Sequence, residues 1–77
     1  MTIHTYAVLK DYFGKSFTVD DPPADIAALR ALLVRKNLAA EAILNNCRFA
    51  AGDNFVDDQY QIQTHDNIHI IPPSSGG

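Results

Sequence analysis

The main helical signal in this chain lies near its middle, and strand-like runs flank it on both sides. Ile26, Leu29, Leu32/Leu33 and Lys36 recur at helical spacing. Ile26, Leu29 and Leu33 form an apolar stripe that should face a sheet. Asp20-Asp21-Pro22-Pro23 breaks the preceding strand, with Asp21 expected as N-cap and Pro22 at the first helical position. Asp25 in the first turn favours the positive end of the helix dipole. Arg35 and Lys36 suit the other end, and Asn37 is the expected stop.

Residues 3–10 are rich in β-branched and aromatic side chains and read as a strand. Its faces would be Ile3/Thr5/Ala7/Leu9 and His4/Tyr6/Val8/Lys10. Asp11-Tyr12-Phe13-Gly14 supplies turn residues, and residues 15–19 alternate again, so the two runs read as an antiparallel hairpin. Residues 38–44 are either a second short helix or an irregular crossing, and residues 60–63 are ambiguous. Residues 47–51 and Phe55-Val56 read as short strands around a Gly52-Asp53-Asn54 turn. Thr64-His65-Asp66-Asn67 reads as another turn. Residues 68–71 form a last apolar strand, ended by Pro72-Pro73. The long crossover permits the first and last strands to pair in parallel at the centre. The expected fold is α+β, a ubiquitin-like β-grasp: a mixed sheet with one main helix on one face. Residues 1–71 would be this domain and residues 72–77 a flexible tail.

At 77 residues the chain is one small domain. A domain of this size buries only about 60% of its unfolded surface, which leaves little room for an enclosed active site. That favours a binding or carrier module over a self-sufficient enzyme. The formal charge is −3, with no Lys/Arg cluster, which argues against a nucleic-acid partner. A mildly acidic domain is expected to meet a basic surface on another protein. The single cysteine, Cys47, excludes an internal disulfide and fits a reducing, cytoplasmic location. The Met1-Thr2-Ile3-His4 start has no signal-peptide character, and no apolar stretch approaches membrane-spanning length.

The sequence closes on Pro72-Pro73-Ser74-Ser75-Gly76-Gly77, which holds two of its four glycines. At average glycine usage of about 7%, two such glycines arise by chance in roughly 0.5% of chains. A terminal glycine has no Cβ, so its carboxylate is open to approach, and Gly76 adds backbone freedom behind it. The prolines favour an extended exit, and six residues span at most about 20 Å. Such a tail can thread a partner's pocket. A terminal carboxyl has a pKa near about 3.5 and is ionised at neutral pH, hence a poor electrophile. It must be activated before it carries a group. Gly14-Lys15-Ser16 resembles the end of a phosphate-binding loop, but Leu9 stands where its first glycine is needed and a strand follows. The activating enzyme must therefore be another protein.

The closing residues 66–77, Asp-Asn-Ile-His-Ile-Ile-Pro-Pro-Ser-Ser-Gly-Gly, resemble the molybdopterin synthase small subunits, the MoaD-type sulfur carriers. So does the stretch Ala50-Ala51-Gly52-Asp53-Asn54-Phe55-Val56-Asp57-Asp58. The resemblance implies that an E1-like (MoeB-type) enzyme uses ATP to adenylate Gly77. A persulfide donor would then supply sulfur, leaving a thiocarboxylate. The tail would insert into a MoaE-type large subunit and pass sulfur to cyclic pyranopterin monophosphate. It further implies that the small subunit is not catalytic alone and has no cofactor of its own. Gly76, Ser75, Ser74 and Pro73 would line the insertion path. Three departures stand out. The family often has a longer, partly helical segment after its first strand, whereas residues 10–15 read here as a tight connection, closer to the ThiS-type carriers of the thiamin pathway. Those carriers, however, usually lack the Pro-Pro pair. His65 also stands where glycine is common, and Gly52 where asparagine is common.

Tyr6, Val8, His69 and Ile71 are expected on the sheet face left open for a partner. His4 and His69 would be neighbours if the end strands pair, but two histidines lack the further ligands of a zinc site. Nothing around Cys47 would lower its pKa, so it reads as a structural thiol rather than a persulfide carrier. Asp57-Asp58 reads as a solvated turn rather than an acid–base pair. Besides the molybdopterin and thiamin readings, the same tail would serve a ubiquitin-like modifier of lysines, or be inert on a plain interaction domain.

Overall fold

A computed structural model describes residues 1–73. The elements are β1 (Thr2–Thr5), α1 (Leu9–Phe13), β2 (Ser16–Thr18), α2 (Ile26–Lys36), a 3₁₀ turn (Leu38–Ala40), α3 (Glu41–Asn45), β3 (Arg48–Ala51), β4 (Asn54–Val56) and β5 (Asn67–Ile71). They build a five-stranded mixed sheet in the order β2-β1-β5-β3-β4. The first and last strands pair in parallel at its centre, with Ile3 opposite Ile68 and His4 opposite His69. The other three pairings are antiparallel. This is the expected β-grasp arrangement.

One face of the sheet carries the core. Ile3, Ile68 and Ile70 are fully buried and Phe49 nearly so. Opposite them lie Ile26, Leu29 and Leu33, the stripe read from helical spacing, all fully buried. Leu44 of α3 and Leu9 of α1 complete the cluster. Residues 38–44 resolve into the 3₁₀ turn followed by α3, opened by Asn37, whose Oδ1 accepts from the Ala39 N–H at 3.2 Å.

Two expectations are corrected. The helix N-cap is Asp25, not Asp21, and Pro22 is not its first residue: the Ala28 N–H donates to Asp25 Oδ1 at 2.8 Å. Asp21 and Pro22 each precede a proline, which disfavours helical backbone there. Asp25 also bridges Gln61, and Ala24 O accepts from the Ile62 N–H at 3.0 Å, so the chain stays extended up to the cap.

The first strand ends at Thr5 rather than Lys10. Ala7 turns the chain with φ at 53°, a left-handed conformation uncommon outside glycine. α1 follows, so β1 and β2 are antiparallel neighbours joined by a helical turn, not by a tight hairpin. The Thr5 hydroxyl donates to the Gly14 and Lys15 carbonyls, and the Thr5 N–H donates to Lys15 O at 3.0 Å, which closes the excursion at its base. Leu9 explains why alternation misled: a longer strand and a one-turn helix both deliver it to the core.

Candidate functional site

The site expected from the sequence has two parts, the tail and an open sheet face. The tail positions Ser74, Ser75, Gly76 and Gly77 lie outside the described residues. The chain leaves β5 at Ile71, and Pro72 and Pro73 follow, the first half-buried and the second exposed. These prolines wall a groove of about 390 Å³ with Val8, Ala42, Ile43 and Asn46. Ala42 and Ile43 come from α3, so the root of the tail is set against that helix.

Among the described residues no helix covers the second sheet face. Side chains alternate along each strand, so burying Ile68 and Ile70 turns His69 and Ile71 outward. The parallel register places His4 beside His69, with ring centroids 4.7 Å apart and planes inclined by 15°. Tyr6 joins them: its hydroxyl lies 2.7 Å from His69 Nδ1. His4 Nε2 is 3.1 Å from Asn67 Oδ1. Three of the four expected face residues, Tyr6, His69 and Ile71, thus gather on one side. Val8 is also exposed but stands apart, at the start of α1 in the groove beside Pro72 and Pro73.

Arg48 and Phe55 belong to this face and were not singled out from the sequence. Arg48 pairs with Ile71 in register, and Phe55 pairs with Ala50, which pairs in turn with His69. The Arg48 guanidinium lies 3.7 Å from the Phe55 ring centroid, a cation–π contact. Alternation within residues 48–51 hints that Arg48 points away from Phe49. Which strand it lies beside depends on long-range register.

The remaining candidates resolve as structural groups. Cys47 is 7% exposed, and its thiol donates to Ile43 O at 3.1 Å. Burial pushes the Cys47 pKa up from 9.0 to about 11, opposed in part by Arg30, so its thiolate is scarce near neutrality. Asp58 lies in a turn after β4 and is half-exposed, as expected, and it is also paired. Arg30 Nη1 donates to both its oxygens, at 2.8 and 2.9 Å, while Arg30 Nε donates to Leu44 O at 3.2 Å. The pair ties α2 to α3 and to the segment after β4. Asp57 accepts from the Gln59 N–H at 3.0 Å and closes a local turn. The Tyr60 hydroxyl donates to Asp66 Oδ2 at 2.9 Å, which raises its pKa because the phenolate would lose that bond. Among the described residues no three His, Cys, Asp or Glu side chains gather as metal ligands. Nor is any helix there long and apolar enough to cross a membrane.

This geometry is shared with known proteins. A chain of the protein–protein complex of subunits 1 and 2 of molybdopterin-converting factor from Helicobacter pylori 26695 superposes with a TM-score of 0.70. The match covers 99% of this chain and 96% of that one at 22% identity, a likeness of fold. No curated protein matches the chain. Residues 3–77 match the ThiS family, from β1 through the diglycine end. The chain therefore belongs to the ThiS family, a group of ubiquitin-like sulfur carriers.

Proposed function

We propose that this protein is the sulfur-carrying small subunit of a molybdopterin synthase. The observation that carries the proposal is the continuity of the family match through Gly76-Gly77, where a carrier keeps its reactive carboxyl. In the proposed cycle the Gly77 carboxylate attacks the α-phosphorus of ATP on an E1-like enzyme. Pyrophosphate leaves and an acyl adenylate forms. Sulfur from a persulfide donor attacks the acyl carbon and AMP departs. Reduction of the remaining sulfur–sulfur bond by a thiol then frees the thiocarboxylate. The tail enters a large subunit, where the sulfur passes to cyclic pyranopterin monophosphate. Each step after activation uses groups of other proteins, so this domain contributes positioning.

Two features favour the molybdopterin reading over a thiamin-pathway carrier. One is Pro72-Pro73 before the small residues. The other is α1, which occupies the connection where a partly helical segment is common among MoaD-type carriers. The structural likeness to a molybdopterin-converting factor complex supports a large-subunit partner. Residues 1–71 would form the docking body and residues 72–77 the inserted tail, with Tyr6, His69 and Ile71 on the partner side and Val8 beside the tail root.

The test is intact mass spectrometry after incubation with ATP, the cognate E1-like enzyme and a sulfide source. A gain matching replacement of one oxygen by sulfur, lost when Gly77 is deleted, is expected. An unchanged mass, with the enzyme active on a known carrier, overturns the carrier reading. Conversion of the pyranopterin precursor with a large subunit then separates the molybdopterin pathway from the thiamin pathway.

A further inference from the structure

The protein is acidic, yet its sheet is not. Nine acids outnumber six bases in the sequence. None of the five strands contains an acidic residue; Asp11 and Glu41, for example, lie on α1 and α3. The outward register row runs Ser16, His4, His69, Ala50 and Phe55, with Arg48 beside Phe55. At the opposite edge, Lys15 lines a shallow recess with His4, Tyr6 and Ser16. The open face is thus polar-aromatic at its middle, with Arg48 on β3 towards one edge and Lys15 beside β2 at the other.

Among the described residues Arg48 has no counter-ion. Among the described residues the only ion pair is Arg30–Asp58, on the covered side. Arg48 instead rests on Phe55, itself 53% exposed, and Tyr6 is 42% exposed. An arginine held over an aromatic ring keeps its planar fork available for a carboxylate. Exposed aromatics around it gain from being covered.

We infer that the open sheet face docks a protein surface that is apolar at its centre and presents carboxylates opposite Arg48 and Lys15. This reverses the expectation, drawn from net charge, of a basic partner. A second copy meeting this face with its own would set cation against cation. The choice of probes rests on the carrier reading, which names a large subunit and an adenylating enzyme as partners.

The full-length chain is titrated calorimetrically against its cognate large subunit and, separately, its cognate adenylating enzyme, at about 50 and about 300 mM NaCl. At least one complex should weaken about tenfold or more at the higher salt. Arg48→Glu should weaken it by about tenfold or more and Lys15→Glu by less, with thermal unfolding midpoints close to the parent's. Arg48→Lys should fall between, since it keeps the charge and loses the fork. Binding by neither protein, binding indifferent to salt and to Arg48→Glu, or salt-sensitive self-association alone overturns the inference. The mass measurement keeps the two failures apart. A chain that acquires sulfur but docks without charge dependence refutes only this face. A chain that docks as described but never acquires sulfur refutes only the carrier reading.

Discussion

The β3–β4 hairpin carries two phenylalanines, and each has an arginine over its ring. On the covered face Arg30 stands 4.9 Å from the Phe49 centroid; on the open face Arg48 stands 3.7 Å from that of Phe55. Phe49 is 2% exposed and Phe55 53%. Arg30 is fixed by Asp58 and by the Leu44 carbonyl, whereas Arg48 has no carboxylate beside it among the described residues. The same pair of residue types therefore serves two ends. Inside, the pair is internally satisfied and acts as a clamp. Outside, among the described residues, it is left without a carboxylate, which is the feature the docking inference rests on.

The sharpest way to break this comparison is to truncate each ring. Phe49→Ala should lower unfolding free energy in urea by about 3–5 kcal/mol. Phe55→Ala should cost under about 1 kcal/mol while weakening partner binding. Equal stability losses would mean that both faces are structural.

Alkaline titration probes the covered side next. The Cys47 pKa is raised from 9.0 to about 11 in the fold, so the folded thiol holds its proton where the unfolded thiol loses it. Its contribution is therefore fully present below pH 9 and is lost as pH rises towards about 11, to the extent of at most about 3 kcal/mol. Tyr60, raised by Asp66, acts in the same direction. Replacing Cys47 with alanine should flatten this part of the pH–stability curve, measured by chemical denaturation. An unchanged curve would mean that the thiol is accessible.

The arginines give a smaller contrast. Arg30→Ala should cost about 1–2 kcal/mol, because it strands a half-exposed Asp58 and the Leu44 carbonyl. Arg48→Ala should stay within about 0.5 kcal/mol. The smallest effect is a gain: Ala7→Gly should stabilise by up to about 1 kcal/mol, since Ala7 sits at positive φ. A loss there would show that chain entropy outweighs the relieved strain.

Much of the covered side was legible in the sequence. Ile26, Leu29 and Leu33 announced their face by period alone, and the central pairing of the end strands followed from element order. What stayed hidden depended on competing local solutions or on register. Leu9 is buried equally well by a strand or by a helical turn, so alternation could not place the end of β1. Two carboxylates, Asp21 and Asp25, could each cap α2, and the proline pair between them decided the matter. Tyr6, His69 and Ile71 could be anticipated because His69 and Ile71 ride on β5 and Tyr6 directly follows β1. Arg48 and Phe55 reach the same face only through the β3–β5 and β3–β4 registers, which no short pattern encodes. The reading of the diglycine tail rests on composition rather than on a folded geometry, and Ser74 to Gly77 lie outside the described residues.

The central position of β5 has a consequence for synthesis. The strand between β1 and β3 is the last of these five that the ribosome makes. Until residues 67–71 have emerged, β1 and β3 have no shared neighbour, and the apolar stripe of α2 has only a split surface to rest on. A chain interrupted before that point cannot close its sheet, and exposed apolar surface of that kind is what cellular quality control removes. Completion of the fold is thereby tied to synthesis of β5, so that a stable domain is one that has already been made as far as the root of its tail.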